Sequence, residues 1–405
     1  MSDESQPTSP TEPTPSDQTK TPPAKPKNMF ERHPWLTNIF IIGFMTIFMD
    51  VMMAQFVKFM PKPPAPDETA YRTKHKLYHH DLKPDMTYDR AQWGKNIYEV
   101  TTNSLGFKDH IQREVAMKPD RHRILFVGDS FTEGVGYTYN ETFVGLVAKE
   151  LEAKNIEVLN AGVQSYCPMI HLFKIRYWME QGLEFDELVC FIDISDIYDE
   201  TKSYEVRDGA VMDSKSGLKE RRANQEKIAG KKFSVKDLIK TNTILISFLL
   251  RKARDLTVGN YYLNNRRSLW TFKDRGEYEA FGKKGLASCQ QNMDQLLALL
   301  RERGVKLTVA VYPWPDQIHR HDRDSIQVKT WQAWVDRHNE SKGENDPEIR
   351  FLDYFPDFIP EKPWSSDSDW QNVLDTYFIP GDVHWNDKGM KLIADRFLTF
   401  YNAKD

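Results

Sequence analysis

Apolar residues follow different patterns in different parts of the chain. From Trp35 to Met60 the sequence WLTNIFIIGFMTIFMDVMMAQFVKFM is apolar nearly all round. About 26 residues at the helical rise are enough to cross a hydrocarbon core of about 30 Å, so residues 35–60 are expected to form a single transmembrane helix. Farther along, short apolar runs alternate with stretches whose apolar residues recur every three or four positions. The runs are RILFVGDS (Arg123 to Ser130), EVLNAG ending at Gly162, ELVCFID (Glu187 to Asp193), KLTVAVYP (Lys306 to Pro313) and IRFLDYF starting at Ile349. The helical stretches are FVGLVAKELEAK after Glu141, Ile170 to Met179 and Met293 to Arg303. Five strands alternating with helices predict an α/β fold, a doubly wound parallel five-stranded sheet with right-handed crossovers. In such a sheet active residues collect at strand C-terminal ends.

Elsewhere the alternation lapses. Residues 1–34 are expected to form a disordered tail, of which Met1 to Asn28 carries seven of the 22 prolines among Ser, Thr, Lys and acidic residues, a composition that favours disorder. Pro61, Pro63, Pro64 and Pro66 predict a stiff stalk, and residues 61–120 form this stalk and a lead-in to the α/β domain at 121–405. Between about 197 and 284 a charged helical insertion interrupts that domain. Its one good helix, VKDLIKTNTILISFLLRKARDL, has Ser234 as N-cap. Its Leu and Ile stripe is expected to pack on the core rather than meet a membrane surface.

Charge narrows the function. With 55 basic and 59 acidic residues the net charge is -4, which offers no electrostatic footprint for nucleic acid. Cys167, Cys190 and Cys289 are too few for a disulfide framework and not spaced as a zinc site. His75, His79 and His80, on neighbouring turns of a helix, and His319 with His321, along one side of a strand, have no carboxylate or thiol to complete a ligand set, so neither metal nor cofactor is expected. Asp50 is the one acidic residue within the span. An intramembrane carboxylate calls for a partner helix or polar pathway, although a shorter tilted span with Asp50 near an interface is the simpler expectation. Lys20, Lys25, Lys27 and Arg32 before the span are balanced by Lys58, Lys62, Arg72 and Lys74 after it, so positive charge hardly orients it. The tail is placed in the cytoplasm on chemical grounds given below.

The candidate chemistry lies at two distant points. Gly128-Asp129-Ser130 ends the first strand of the sheet, where a serine is exposed for attack but needs a base, an orienting acceptor and oxyanion donors. Asp382 and His384, in GDVHWNDKGMKLIADRFLTFY, precede the last amphipathic helix. Residues two apart on an extended loop project to the same side, so the carboxylate can fix the imidazole's tautomer. Either motif alone is weak; strand end and final helix together would meet at one sheet edge.

On these residues the stretch from Arg123 to Tyr401, outside the insertion, resembles the SGNH/GDSL hydrolase superfamily of esterases and acyltransferases. The resemblance implies a flavodoxin-like sheet, Ser130 as nucleophile, His384 as base and Asp382 as its orienter. It also implies an oxyanion hole built from Ser130, Ser165 and Ser195. Ser165, in NAGVQSY, stands where the family usually has glycine, and Ser195, in DISD, where it usually has asparagine. The Asp-x-His-Trp spacing is similar to that of the alginate O-acetylation proteins. With the anchor it suggests a periplasmic or extracellular acyl esterase or O-acetyltransferase of an envelope polysaccharide. Its partners would be an acylated glycan, a multi-spanning membrane O-acyltransferase as acyl donor, and the bilayer through residues 35–60. Trp314 and Trp385, near the expected active edge, are candidates for stacking on sugar rings. The alternative is a catalytically weakened glycan-binding subunit or scaffold of an acylation complex.

Overall fold

The computed structural model describes residues 28–60, 67–229, 239, 242–258, 263–272 and 276–403. The proline-rich tail before Asn28, the stalk prolines 61–66 and Ser234 lie outside these residues. Contacts divide the chain into two compact units, Met1–Pro61 with Phe233–Arg254, and Lys62–Lys232 with Asp255–Asp405.

In the first unit an α-helix runs from Pro34 to Phe59. Proline suits its first turn, where a backbone N–H would have no intrahelical acceptor. Its apolar side chains are largely exposed, Phe40, Phe44 and Phe56 among them, whereas Asp50 is buried. The Asp50 carboxylate accepts the N–H groups of Ile244 and Leu245 on Oδ1, both at 2.7 Å, and that of Ile246 on Oδ2 at 3.0 Å. These are donors that the start of the helix Leu245–Val258 leaves without intrahelical partners. Gln55 and Lys58, on the following turns, both donate to Asn242 Oδ1. Asp50 therefore has a partner helix. The Leu and Ile stripe expected to pack on a core is exposed instead at Leu245, Phe248, Leu249 and Leu250.

The second unit starts with two antiparallel hairpins where a lead-in was expected. Strands β1 (Arg72–His75) and β2 (His79–Leu82) form the first, and β3 (Thr87–Trp93) and β4 (Asn96–Thr101) the second. His75, His79 and His80 thus lie on a hairpin and not on helical turns. Then come β5 (His122–Val127), β6 (Ile156–Asn160) and β7 (Glu187–Ile192), a small hairpin of β8 (Tyr204–Arg207) and β9 (Ala210–Asp213), and finally β10 (Lys306–Val311) and β11 (Arg350–Asp353). The main sheet has the order β11-β10-β7-β5-β6 with every pair parallel. This is the doubly wound order expected. β5 and β7 read as continuous apolar runs because helices cover both faces of a parallel sheet, and they are buried almost throughout. The helices include Phe143–Glu152, Pro168–Glu180, Lys283–Arg301, Ile326–Glu340 and Asp387–Asn402. Strand order reverses between β5 and β7, and a crevice opens at their C-terminal ends. His319 ends a short helix, Pro315–His319, and His321 lies in the turn beyond it, so the two do not share a strand.

Candidate active site

The crevice holds the serine. After β5 the chain turns through Gly128, where a Cβ would fall 2.1 Å from Thr132 Oγ1 and 3.1 Å from Phe191 Cβ, so a side chain has no room. Asp129 caps the short helix Ser130–Glu133, its Oδ1 accepting the Phe131 N–H at 3.0 Å. Ser130 is therefore the first helical residue, and its own N–H has no intrahelical acceptor.

From the other end of the chain, Ile379 N–H donates to the His384 carbonyl at 2.9 Å and Asp382 N–H to the Ile379 carbonyl at 3.0 Å, closing a tight loop before the last helix. That loop brings His384 Nε2 to 2.8 Å from Ser130 Oγ and His384 Nδ1 to 2.7 Å from Asp382 Oδ1. Since an ionised carboxylate only accepts, Nδ1 carries the proton and Nε2 faces the hydroxyl as acceptor. The indole of Trp93, from β3, donates to Asp382 Oδ2 at 2.7 Å and sets its ring edge-on to His384 at 4.8 Å. Burial raises the Asp382 carboxyl, but the hydrogen bonds from His384 and Trp93 outweigh it and hold it below the usual range. Ser130 and His384 are 8% and 5% exposed, so the pair is shielded yet opens into a cavity of about 340 Å³.

The two serines expected as oxyanion donors part company. Ser165 lines this cavity with φ +63°, the left-handed conformation glycine favours, which explains why glycine suits the position. Its neighbours' N–H groups are all engaged. Ala161 donates to the Phe126 carbonyl, Gly162 to Asn160 Oδ1, Val163 to the Gly128 carbonyl, Gln164 to Glu133 Oε2 and Tyr166 to the Val163 carbonyl. Among the described residues the Ser165 N–H has no acceptor, which leaves it available to a ligand. Ser195 also lines the cavity, but its N–H donates to Asp193 Oδ1 and its hydroxyl engages the same carboxyl. Its N–H is therefore not offered to the cavity. Asn265, from the inserted segment, lines the wall nearby; no sequence pattern distinguished it, or Trp93.

Of the two tryptophan candidates Trp314 lines the cavity, and Trp385 requires correction. Trp314 is 4% exposed and donates its indole N–H to Asp193 Oδ2. Trp385 is fully buried, with ring centroids 4.7 Å from both Phe131 and Tyr312. Trp385 therefore offers no face for stacking on a sugar, whereas Trp314 stays at the cavity wall with its indole N–H held by a buried carboxyl.

Beneath the serine, carboxyl oxygens of Asp129, Asp193 and Asp196 lie within 4.8 Å of one another. Burial pushes all three up the scale, Asp129 and Asp196 well up it, and their mutual repulsion adds to it for Asp129 and Asp196. The shift favours the protonated form of Asp129, which lies 3.4 Å from Ser130 Oγ. Among the described residues this is the one acidic cluster tight enough for a cation. The Tyr312 hydroxyl, the Trp314 indole and backbone N–H groups already face its oxygens.

No family model matches the chain, and no curated protein matches it. Several solved structures are distantly similar to the chain. A lipolytic protein of the G-D-S-L family from Veillonella parvula is 13% identical, with 69% of this chain and 98% of that one covered and a TM-score of 0.36. A psychrotrophic esterase from Pseudoalteromonas sp. is 12% identical, covering 70% and 97%, with a TM-score of 0.33. A catalytic mutant of an acetylxylan esterase from Geobacillus stearothermophilus is 12% identical, covering 70% and 95%, with a TM-score of 0.34. Likenesses this distant carry no chemistry, and the reading below rests on the geometry of the site.

Proposed function

We propose that the chain is a membrane-anchored serine enzyme that breaks or transfers acyl esters, acetyl esters of an envelope polysaccharide being the preferred substrate. The observation that carries this reading is the unbroken relay Ser130–His384–Asp382 facing a cavity with free backbone donors. His384 Nε2 takes the hydroxyl proton as Ser130 Oγ attacks the ester carbonyl. The carbonyl oxygen, now an anion, accepts from the N–H groups of Ser130 and Ser165. On collapse the C–O bond to the alcohol breaks, His384 returns the proton to the leaving oxygen, and the acyl group remains on Ser130. Water or a sugar hydroxyl, deprotonated by His384, then removes it.

The polysaccharide preference draws on polarity. A second cavity of about 590 Å³ shares Gln164, Ser165 and Arg267 with the first, and its lining includes Arg72, Lys74 and Glu68. Such walls suit polyhydroxylated rings better than an alkyl chain. The apolar helix Pro34–Phe59 supports a single-pass anchor, and the exposed Phe248, Leu249 and Leu250 add a further surface for lipid. The catalytic domain then lies on the periplasmic or extracellular side, where a multi-spanning membrane O-acyltransferase would supply the acyl group. The engaged N–H of Ser195 favours a second reading, a glycan-binding subunit with weakened chemistry.

The deciding experiment incubates the full chain in detergent with an aryl acetate and an unacetylated oligosaccharide. Acetate release to water supports an esterase and acetylated oligosaccharide a transferase, each abolished in Ser130→Ala. No turnover by the folded parent supports the binding subunit. Labelling of a cysteine introduced after Pro66 by an impermeant reagent tests the side, and labelling only after lysis would make an envelope substrate untenable.

A further inference from the structure

Gln164, which precedes the Ser165 N–H, is held at its carbonyl and at its own N–H by groups outside its loop. His80 Nε2, on β2, lies 2.7 Å from the Gln164 carbonyl oxygen. That oxygen can only accept, so Nε2 carries a proton. His80 Nδ1 lies 2.7 Å from His79 Nδ1. If His80 is neutral, its Nδ1 has only a lone pair and the proton between the rings belongs to His79. Burial, with the neighbouring His79 charge adding to it, pushes the His80 imidazole down to about 3, so it is neutral at physiological pH. His79 in turn sets its Nε2 at 3.2 Å from Asp213 Oδ1, on β9. The row therefore runs from the Asp213 carboxylate through His79 and His80 to the Gln164 carbonyl.

A trans peptide directs its C=O and N–H to opposite sides, and among the described residues no peptide bond is cis. Once His80 draws the carbonyl toward β2, the Ser165 N–H must face away from it. The other end of Gln164 is held too, its N–H donating to Glu133 Oε2 at 2.7 Å while Arg72 pairs with Glu133. Tyr166 closes the loop with its hydroxyl on the His80 carbonyl at 2.7 Å.

We infer that His80 is a positioning residue, which by donating from Nε2 to the Gln164 carbonyl holds the Ser165 peptide in the orientation that binds the oxyanion, with His79 and Asp213 fixing its tautomer. The inference rests on the acyl-transfer reading above. It adds a part that the serine, histidine and aspartate do not supply: a preset peptide that needs no reorganisation when charge develops. Without His80 the peptide can rotate and present its carbonyl to the oxyanion instead.

The test uses the full chain in detergent with an aryl acetate as substrate and an arylboronic acid as tetrahedral mimic. Losing one oxyanion donor lowers kcat by about 10²–10³-fold, so a donor left intact but unpinned should cost roughly 10–100-fold in His80→Ala. KM should stay within about twofold, because the ground-state ester makes little of this contact. Boronate affinity should fall in parallel with kcat. His80→Gln, which keeps a side-chain N–H donor, should recover most of both losses. A His80→Ala protein with parent kcat, a loss confined to KM, an unchanged boronate affinity, or a folded His80→Gln no better than alanine overturns the inference. If His80→Ala does not fold, nitrogen NMR of the parent decides alone: a neutral His80 protonated at Nε2 is expected, and protonation at Nδ1 overturns the inference. A parent that neither turns over nor labels at Ser130 sinks the acyl-transfer reading itself, whereas an active parent with an equally active His80→Ala sinks only the role of His80.

Discussion

Two loops leave the strands on either side of β5, and each carries a serine at a position expected to donate to an oxyanion. After β6, Ser165 takes a left-handed conformation and its N–H has no acceptor among the described residues, whereas those of Ala161 to Gln164 and of Tyr166 do. After β7, Ser195 is right-handed at φ -77°, and its N–H turns back onto Asp193 two residues earlier. Residue type does not separate them; what separates them is the local acceptor. Asp193 sits where an aspartate readily forms a turn with the N–H two residues on. The loop after β6 has no carboxylate two residues before Ser165, and the carbonyl that could turn inward is drawn off by His80. A strand end becomes an anion site when its own side chains do not consume its donors.

The largest test of this contrast is Ser165→Pro, which removes the free N–H and cannot reach φ +63°. A fall in kcat of about 10²–10³-fold is expected in protein that still melts cooperatively; a small change would move the oxyanion elsewhere. Next comes Trp93→Phe, which deletes the donor to Asp382 Oδ2 and keeps the ring. An outer hydrogen bond of this kind should be worth about tenfold in kcat, read in steady-state turnover.

A smaller effect concerns stability below the second loop. Folding raises the Asp196 carboxyl through burial and the nearby Asp193 and Asp129. The folded chain therefore holds a proton that the unfolded chain releases above about pH 4, and stability falls as pH rises from there. Asp196→Asn removes that loss, so its melting temperature should exceed the parent's by more at pH 8 than at pH 5. An equal difference at both would show that the group is charged when folded. Smallest of all, Ser195→Ala should leave kcat within about threefold, because its hydroxyl engages Asp193 and not the cavity. A larger loss would restore Ser195 as a donor.

The sheet was legible because β5 and β7 are buried on both faces and read as unbroken apolar runs, and because helices between them keep a regular period. Ser130, Asp382 and His384 were legible for a related reason: the strand order that any doubly wound sheet adopts brings the end of its first strand and the start of its last helix to one edge. Trp93 and His80 were not. They sit on short hairpins whose alternation is weak, β1 being partly exposed throughout, and nothing local marks a side chain whose partner lies 289 or 84 residues away. Trp385 misled because an indole close in sequence to a catalytic loop is as readily used to fill the core below it. The stripe of Leu245 to Leu250 misled for the opposite reason, since periodicity reports an apolar face without saying what covers it.

The most direct measurement is labelling of the full chain with a fluorophosphonate, followed by peptide mass spectrometry of the modified residue. The relay of hydroxyl, imidazole and carboxylate predicts one adduct, on Ser130, that forms rapidly in the parent and is nearly lost in His384→Ala. An adduct elsewhere, or labelling of Ser130 that proceeds equally well without the imidazole, would contradict it.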